Sequence, residues 1–228
     1  MIKLTANAIQ EILDYVELII FDIDGTLVIS NADWDGMRKK VRTFFKSNFN
    51  IDFEFRPILQ KTEEAISLII QTNPNENIQK IRNTILEIIE DTGLEGIKKS
   101  HLIKNGKIFL QKLSQKKRIA AFTRSGLKEA NLAFNIHKIE NFFELVITRD
   151  NNIKVKPEPD QIVMISDKLK VKPERILVVG DHPYDILAGK KAGTKTLGVL
   201  SGIAPKEDLI KAGADSILES VTDLEEFI

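Results

Sequence analysis

The sequence predicts an α/β fold with a doubly wound parallel sheet and an inserted all-helical domain. From residue 105 onward, helical patterns alternate with short apolar runs, which is typical of βαβ units on a parallel sheet. The roughly 70 residues after Val28 instead space their apolar residues by threes and fours, as helices do. We therefore expect a core domain of residues 1–30 and 100–228, and a helical cap of residues 31–99 over the carboxyl ends of the strands.

The composition is that of an ordinary globular protein, with 228 residues, 43% of them apolar and 29% charged. Lys plus Arg and Asp plus Glu both total 33, so no charge excess indicates a nucleic acid or a membrane as partner. Cysteine is absent, which excludes disulfides and a cysteine nucleophile, and the three histidines lack a metal-ligand spacing. Without a signal-peptide pattern or an apolar run of ~20 residues, we expect a cytoplasmic protein. Both a monomer and a homodimer fit the sequence.

The first 100 residues contain one predicted strand and four predicted helices. Residues 5–16 have the apolar spacing of a packing helix, and the apolar run that opens residues 18–28 lacks alternation, which indicates a strand buried on both faces. In the insert, one helix begins near Asp33 or Asp35 and the next at Pro57. A third follows Pro74, and the insert's phenylalanines are interpreted as packing residues. Residues 92, 93 and 96 (Thr, Gly and Gly) predict the end of this third helix.

The second half alternates between helix and strand. The predicted elements are a helix at 106–116, a strand at 118–123, a helix at 127–136, a strand at 145–148, a helix at 160–169, a strand at 175–179, a helix at 186–192 and a strand at 196–200.

Two carboxylates end the first predicted strand. Asp22 and Asp24 follow the apolar run directly and precede a Gly-Thr turn. In open α/β sheets, ligands bind outside the carboxyl ends of the strands, so both acids are candidates for a site. Taken alone, the segment fits an ordinary strand and Asp-Gly turn equally well.

Three further strand ends carry polar residues. Thr123 ends one strand, and the amides after it open a helix, where unpaired N–H groups favour an anion. Lys156 lies in a Lys-Pro-Glu-Pro turn and could neutralise a phosphoryl group, although a solvated lysine is the alternative. Asp181 and Asp185 follow another apolar strand and could face the same point as Asp22, unless Asp185 only caps a helix. Such oxygen clusters suit Mg²⁺.

Taken together and in this order, residues 22–26, Thr123, Lys156 and residues 180–185 resemble the motifs of the haloacid dehalogenase superfamily of phosphohydrolases. The resemblance covers nearly the whole core, and the insert is similar to the helical cap of the phosphoglycolate phosphatase-like branch. It implies a Mg²⁺-dependent phosphatase that acts on a small phosphorylated metabolite, such as phosphoglycolate or a sugar phosphate, through an aspartyl-phosphate.

The resemblance also implies roles for the acids. Asp22 would be the nucleophile, and Asp24 would protonate the leaving oxygen and then activate water. Asp22 and Asp181 would bind Mg²⁺ directly, together with the backbone carbonyl of Asp24. Asp185 would be a ligand or lie one shell farther out.

The basic and hydroxyl residues would bind the substrate. By the same resemblance, Thr123 and Lys156 would hold the phosphoryl oxygens. Arg124 stands where the family often has Asn, and it adds a cation that could bind the phosphate or an acidic substrate group, or point to solvent. Trp34, Arg38 and Arg56 are candidate specificity residues in the cap.

Two other functions remain open from the sequence. A phosphotransferase of the β-phosphoglucomutase type would share every catalytic residue named above, and product analysis would separate it from a phosphatase. The second open function is a binding or regulatory module without turnover, because a fold alone does not establish function. By the resemblance, the acid at position 24 favours phosphate esters over carbon–halogen bonds.

Overall fold

The protein is described from a computed structural model, which covers residues 6–228, with side chains from residue 8 onward. The chain divides into two compact units, one running to Ser30 and resuming at Lys98–Ile228, the other formed by Asn31–Ile97. The domain boundaries predicted from the sequence fall after residues 30 and 99. Thr5, where the first helix is predicted to begin, lies outside the described residues.

A six-stranded sheet forms the centre of the first unit. All neighbouring strands in it are parallel, so the predicted doubly wound sheet is confirmed. The described strands are β1 (Leu18–Phe21), β2 (Val28–Ile29), β3 (His101–Leu102), β4 (Arg118–Phe122), β5 (Leu145–Ile147), β6 (Ile176–Gly180), β7 (Lys195–Val199) and β8 (Ser216–Leu218). The sheet order is β5-β4-β1-β6-β7-β8, and β2 and β3 form a separate antiparallel pair that the sequence did not predict.

The sheet register brings the predicted site residues to one edge. β1 lies between β4 and β6, and its four residues are fully buried because helices cover both faces. Phe21 pairs with Ala121 on one side and with Val179 on the other. The residues that follow these three positions therefore leave the sheet side by side.

The helices pack on the sheet or form the second unit. They are α1 (Ala6–Tyr15), α2 (Trp34–Phe49), α3 (Ile58–Thr72), α4 (Ile78–Lys98), α5 (Gly106–Ser114), α6 (Leu127–His137), α7 (Asp160–Leu169), α8 (Pro183–Ala192) and α9 (Lys206–Lys211). Short 3-10 helices span Glu140–Phe142, Arg149–Asn151, Pro173–Arg175 and Val221–Phe227. Within the part of the chain described, none of these helices has both the length and the apolar character needed to cross a membrane.

One helix of the first unit begins earlier than predicted. α8 starts at Pro183 rather than at residue 186, because His182 caps it and Pro183 takes the first helical position. This places Asp185 in the first turn of the helix, directly after the strand end that carries Asp181. The earlier helix start therefore brings Asp185 close to the end of β6.

The second unit has its own apolar core, made by α2, α3 and α4. Asp33 caps α2 by accepting a hydrogen bond from the amide of Gly36, which decides between the two predicted caps. The phenylalanines pack against one another as interpreted: Phe44, Phe45, Phe49, Phe53 and Phe55.

The predicted end of α4 at residues 92–96 is wrong. The helix continues to Lys98, and both of its glycines are buried within it. A Cβ on Gly96 would overlap the backbone of Ala32, so this glycine permits a close approach of two chain segments instead of ending the helix.

Candidate active site

The site begins with the turn that follows β1. The amide of Asp22 donates to the carbonyl of Val179 at 2.9 Å, which extends the pairing with β6 one residue beyond the strand. The carbonyl of Ile23 then accepts hydrogen bonds from the amides of Leu27 and Val28. Gly25, at φ +92°, has the left-handed backbone that this turn requires, and a Cβ there would overlap the carboxylate of Asp181.

Asp24 is held in place by two hydrogen bonds from Ser30. Its two carboxylate oxygens accept hydrogen bonds from the amide and the hydroxyl of Ser30, at 3.1 and 3.0 Å. Burial raises the pKa of Asp24, and these two hydrogen bonds offset part of the increase. A carboxyl group with a raised pKa and a fixed orientation is suited to giving and taking a proton.

The three remaining acids form a compact cluster. Each of Asp22, Asp181 and Asp185 contributes a carboxylate oxygen, and these oxygens lie within 4.8 Å of one another. Asp181 also accepts a 3.0 Å hydrogen bond from the hydroxyl of Thr26. All three are buried, so water does little to screen their repulsion.

Lys156 is the counter-ion of this cluster. Its Nζ atom lies 2.5 Å from an oxygen of Asp22 and 2.5 Å from an oxygen of Asp185. The same atom lies 4.4 Å from the centroid of the Phe122 ring, and only 5% of the residue is exposed. The solvated alternative for Lys156 is therefore wrong.

Buried hydrogen bonds fix the loop that carries Lys156. The side chain of Gln161 accepts from the amide of Lys156 at 3.4 Å and donates to the carbonyls of Thr123 and Ile147. Gln161 thus joins the ends of β4 and β5 to the start of α7. Sequence reasoning missed this residue, because a glutamine in a helical pattern has no distinguishing signal.

Asp185 has both of the roles that the sequence left open. One oxygen accepts from the amide of His182 at 2.9 Å and so caps α8. The other contacts Lys156 inside the cluster. The cap fixes the carboxylate in the orientation that the cluster requires, so the two roles are compatible.

Burial makes the cluster electrostatically unfavourable without further positive charge. It raises the pKa of Asp22 well above the ordinary value, with Lys156 opposing and the two other acids adding to the rise. Burial and the repulsion from Asp185 raise the pKa of Asp181 to about 7. Burial disfavours the charged form of Lys156 too, but the carboxylates of Asp185 and Asp22 outweigh it and raise its pKa. Three carboxylates thus share one ammonium group, that of Lys156. A bound divalent cation would reduce the remaining repulsion between them.

Three amides at the start of α6, those of residues 125–127, already have acceptors within the protein, so the prediction that they are free to bind an anion is wrong for these three. The amide of Ser125 donates to the hydroxyl oxygen of Thr123, that of Gly126 to Glu129, and that of Leu127 to Asp150. The sequence already contained these acceptors, but the one at Asp150 is 23 residues away in the chain. Thr123 itself is buried at the end of β4, as predicted.

The other predicted cations differ in their surroundings. Arg124 is half-buried and places its guanidinium carbon 5.4 Å from the centroid of the Tyr184 ring. In the second unit, Arg38 forms an ion pair with Asp35, and Arg56 lies 3.5 Å from the same carboxylate.

One further loop of the site was missed by sequence reasoning. Ser201 and Gly202 follow β7, and they contact the backbone of Gly25 and the carboxylate of Asp181, respectively. Their signal was present, since a Ser-Gly pair directly follows a predicted strand, as the other site residues do. Ser30, which binds the carboxylate of Asp24, was also missed, and it has no such signal in the sequence.

Comparison with known proteins agrees with this geometry. The model of the haloacid dehalogenase-like hydrolase family matches residues 19–199. The chain belongs to this family. Its resemblance to the superfamily, stated from the motifs alone, is confirmed, and so is the prediction of a phosphatase enzyme.

Individual relatives place the chain within the family. Pyrophosphatase PpaX of Anoxybacillus flavithermus is 44% identical over 94 residues, 41% of this chain and 44% of that protein. Pyrophosphatase PpaX of Bacillus mycoides is 24% identical over 92% of this chain and 95% of its own length. Among solved structures, a haloacid dehalogenase-like hydrolase from Streptococcus pneumoniae superposes with a TM-score of 0.67 at 18% identity, covering 94% of this chain and 99% of that one. This last likeness shows the fold.

Proposed function

We propose that the chain is a Mg²⁺-dependent phosphatase that hydrolyses a small phosphorylated compound through an aspartyl-phosphate at Asp22. The observation that carries the proposal is the buried cluster of Asp22, Asp181 and Asp185, with Lys156 at 2.5 Å from two of them. The relatives named pyrophosphatase support a phosphoryl substrate.

The donor set fits Mg²⁺. This ion prefers carboxylate and carbonyl oxygens and keeps several waters, so two or three carboxylates suffice. Asp22, Asp181 and Asp185 would hold it, with the backbone carbonyl of Asp24. When bound, the ion supplies positive charge for the transferring phosphoryl group.

Covalent catalysis would proceed in two displacements. In the first, a carboxylate oxygen of Asp22 attacks phosphorus, the bond from phosphorus to the leaving oxygen breaks, and Asp24 gives its proton to that oxygen. In the second, the carboxylate of Asp24 takes a proton from a water molecule, whose oxygen attacks the phosphorus. The bond from phosphorus to Asp22 then breaks, which restores the carboxylate and releases inorganic phosphate. The raised pKa of Asp24 supports its part in both steps.

Lys156 and Thr123 would serve the phosphoryl group. A carboxylate and a phosphate dianion repel each other, and Lys156 offsets that repulsion because it is already in contact with the attacking residue. The hydroxyl oxygen of Thr123 accepts from the amide of Ser125, so its own proton is free to be donated to a phosphoryl oxygen.

The test is the release of inorganic phosphate from a panel of phosphate esters and pyrophosphate, with Mg²⁺ and with EDTA. We expect metal-dependent release that Asp22→Asn abolishes, whereas Asp167→Asn, an exposed aspartate in α7, retains it. Wild-type rates in the Asp22→Asn variant would contradict the proposal.

The same residues could transfer the phosphoryl group to a sugar hydroxyl instead of to water. The panel is therefore repeated with a hexose phosphate as acceptor. Transfer to the sugar without release of phosphate would identify a phosphotransferase.

A further inference from the structure

Arg124 is a cation beside the candidate active site that forms no ion pair with the described residues. Its Nε atom is buried without a hydrogen-bond partner, and its guanidinium forms no ion pair or hydrogen bond with any residue that the structure describes. Lys156, in contrast, is shared by two carboxylates. Lys156 is thus paired with acids of the protein, whereas Arg124 is not.

The position of Arg124 relates it to the acidic cluster. It follows Thr123 at the end of β4, and its guanidinium stacks on Tyr184, which lies next to Asp185 in the first turn of α8. The Tyr184 ring is itself held against the ring of His182, with 4.6 Å between the centroids. The guanidinium is therefore supported on one side by a fixed aromatic surface.

The surroundings of Arg124 do not favour its charge. Burial lowers its pKa, and the attraction of Asp185 and Asp22 reverses this only in part. A partly buried cation without a partner is unfavourable, because it has lost hydration and gained no ion pair. Stacking on the Tyr184 ring offsets part of that loss but supplies no counter-charge.

The neighbouring arginine shows what a structural ion pair looks like in this region. Arg149 lies 3.0 Å from the carboxylate of Glu129 and 3.6 Å from that of Asp150. Those two acids also accept from the amides at the start of α6. Glu129 and Asp150 are therefore already engaged by other donors, and among the described residues no carboxylate forms an ion pair with Arg124.

We propose that Arg124 binds a second anionic group of the substrate. The enzyme would then prefer compounds that carry an oxyanion close to the phosphoryl group, either a carboxylate or a second phosphoryl group. A guanidinium suits both, because its planar fork of N–H donors matches two oxygens of an oxyanion. This inference rests on the proposed phosphatase function and adds the class of substrate.

The experiment compares pairs of substrates with and without a second anionic group, in the wild type and in the Arg124 variants. Phosphoglycolate and 2-hydroxyethyl phosphate have the same length, but the first ends in a carboxylate and the second in a hydroxyl. Pyrophosphate and methyl phosphate form the second pair. With Mg²⁺, we expect the wild-type kcat/KM to be about 10- to 100-fold higher for the anionic member of at least one pair. Pyrophosphate also has a better leaving group than methyl phosphate, so the pair whose preference falls in Arg124→Met tells a carboxylate from a phosphoryl group.

Arg124→Met is the decisive variant. It should lower this substrate preference about 10- to 100-fold, mainly through KM for the anionic member. Arg124→Lys should retain part of the preference, since it keeps the charge and loses the fork. The matched control is Lys172→Met, which removes one exposed positive charge before β6, at the opposite ends of the strands.

Stability supplies a second readout. Because the guanidinium of Arg124 forms no ion pair or hydrogen bond with the described residues, Arg124→Met should melt at or above the temperature of the wild type. A clear loss of thermal stability would show that the arginine has a structural partner, and would overturn the inference.

The two proposals fail in different ways. If wild-type enzyme releases phosphate from both members of each pair at similar rates, or if Arg124→Met lowers both members equally, the inference about Arg124 is wrong and the phosphatase remains. If no compound releases phosphate with Mg²⁺, the proposed function fails, and this inference fails with it.

Discussion

The hydroxyl of Ser201 donates a 2.7 Å hydrogen bond to the carbonyl oxygen of Gly25. This bond joins the loop after β7 to the turn that carries Asp22 and Asp24. The next residue, Gly202, lies so close to Asp181 that a Cβ would overlap its carboxylate. The loop after β7 therefore holds two of the segments that form the acidic cluster.

Gly202→Ala should impair catalysis by displacing Asp181. Its Cβ would collide with a carboxylate that is buried and already hydrogen-bonded to Thr26, so the carboxylate has to move. We expect kcat/KM to fall about 10- to 100-fold, and the Mg²⁺ concentration for half-maximal rate to rise. Steady-state rates over a Mg²⁺ titration measure both.

The control for this variant is Gly193→Ala. Gly193 has φ +80° at the end of α8, and a Cβ there would meet only Pro173 at 3.9 Å. It should lower the melting temperature, because alanine is strained at positive φ, yet leave the Mg²⁺ dependence unchanged. Equal Mg²⁺ dependence in both variants would show that Gly202 has no specific relation to Asp181.

Removing the ammonium group of Lys156 should lower both activity and stability. Lys156→Met leaves the buried carboxylates of Asp22 and Asp185 without their cation, and breaking a buried ion pair costs about 3–5 kcal/mol. The loss of phosphoryl neutralisation should lower kcat about 100- to 1,000-fold. Urea unfolding in EDTA and phosphate release with Mg²⁺ measure the two effects. If Lys156→Met is as stable as Lys172→Met, the ammonium group is not the counter-ion that the structure indicates.

Asp215 should make the stability of the first unit depend on pH. Its carboxylate accepts hydrogen bonds from the amide and hydroxyl of Thr196 at 2.8 and 2.9 Å, and from Lys190 at 2.8 Å. Burial acts to raise the pKa of Asp215, but Lys190 and Thr196 outweigh it, so the pKa is lowered. A lowered pKa means that the folded state favours the ionised form. The resulting stability is present above the unfolded pKa of about 4 and is lost as pH falls through the folded value.

Asp215→Asn should therefore be about 1–2 kcal/mol less stable than the wild type at pH 7. The difference should shrink as pH falls below about 4 and vanish below the folded pKa, where the wild-type carboxylate of the folded protein also becomes neutral. Urea unfolding between pH 2 and pH 7 measures it, with Asp167→Asn as the exposed control. A difference that stays constant down to pH 2 would contradict the assignment.

Much of the fold and of the acidic cluster could be predicted from the sequence, because both depend on local patterns. Asp22 and Asp181 each follow an uninterrupted apolar run, and parallel strands end at one edge of a sheet. The contacts that hold the site were not predictable in this way. The hydrogen bond from Gln161 to Thr123 spans 38 residues, and the one from Ser201 to Gly25 spans 176.

The wrong predictions have the same origin. The amide of Leu127 looked free because its acceptor, Asp150, is 23 residues away in the chain. The glycines of α4 were read as a helix end, although Gly96 accommodates the backbone of Ala32 instead. In both cases a tertiary contact decided what a local rule could not.

The measurement that tests the central claim most directly is chemical trapping of the intermediate. The enzyme is quenched in acid during turnover with Mg²⁺ and then treated with borohydride, which reduces an aspartyl-phosphate to homoserine. Mass spectrometry of the peptide that contains residues 22–26 should then show homoserine at position 22 only when substrate was present. Asp22→Asn should show none. An unmodified peptide from enzyme quenched during rapid turnover, with Asp22→Asn still releasing phosphate, would contradict nucleophilic catalysis by Asp22.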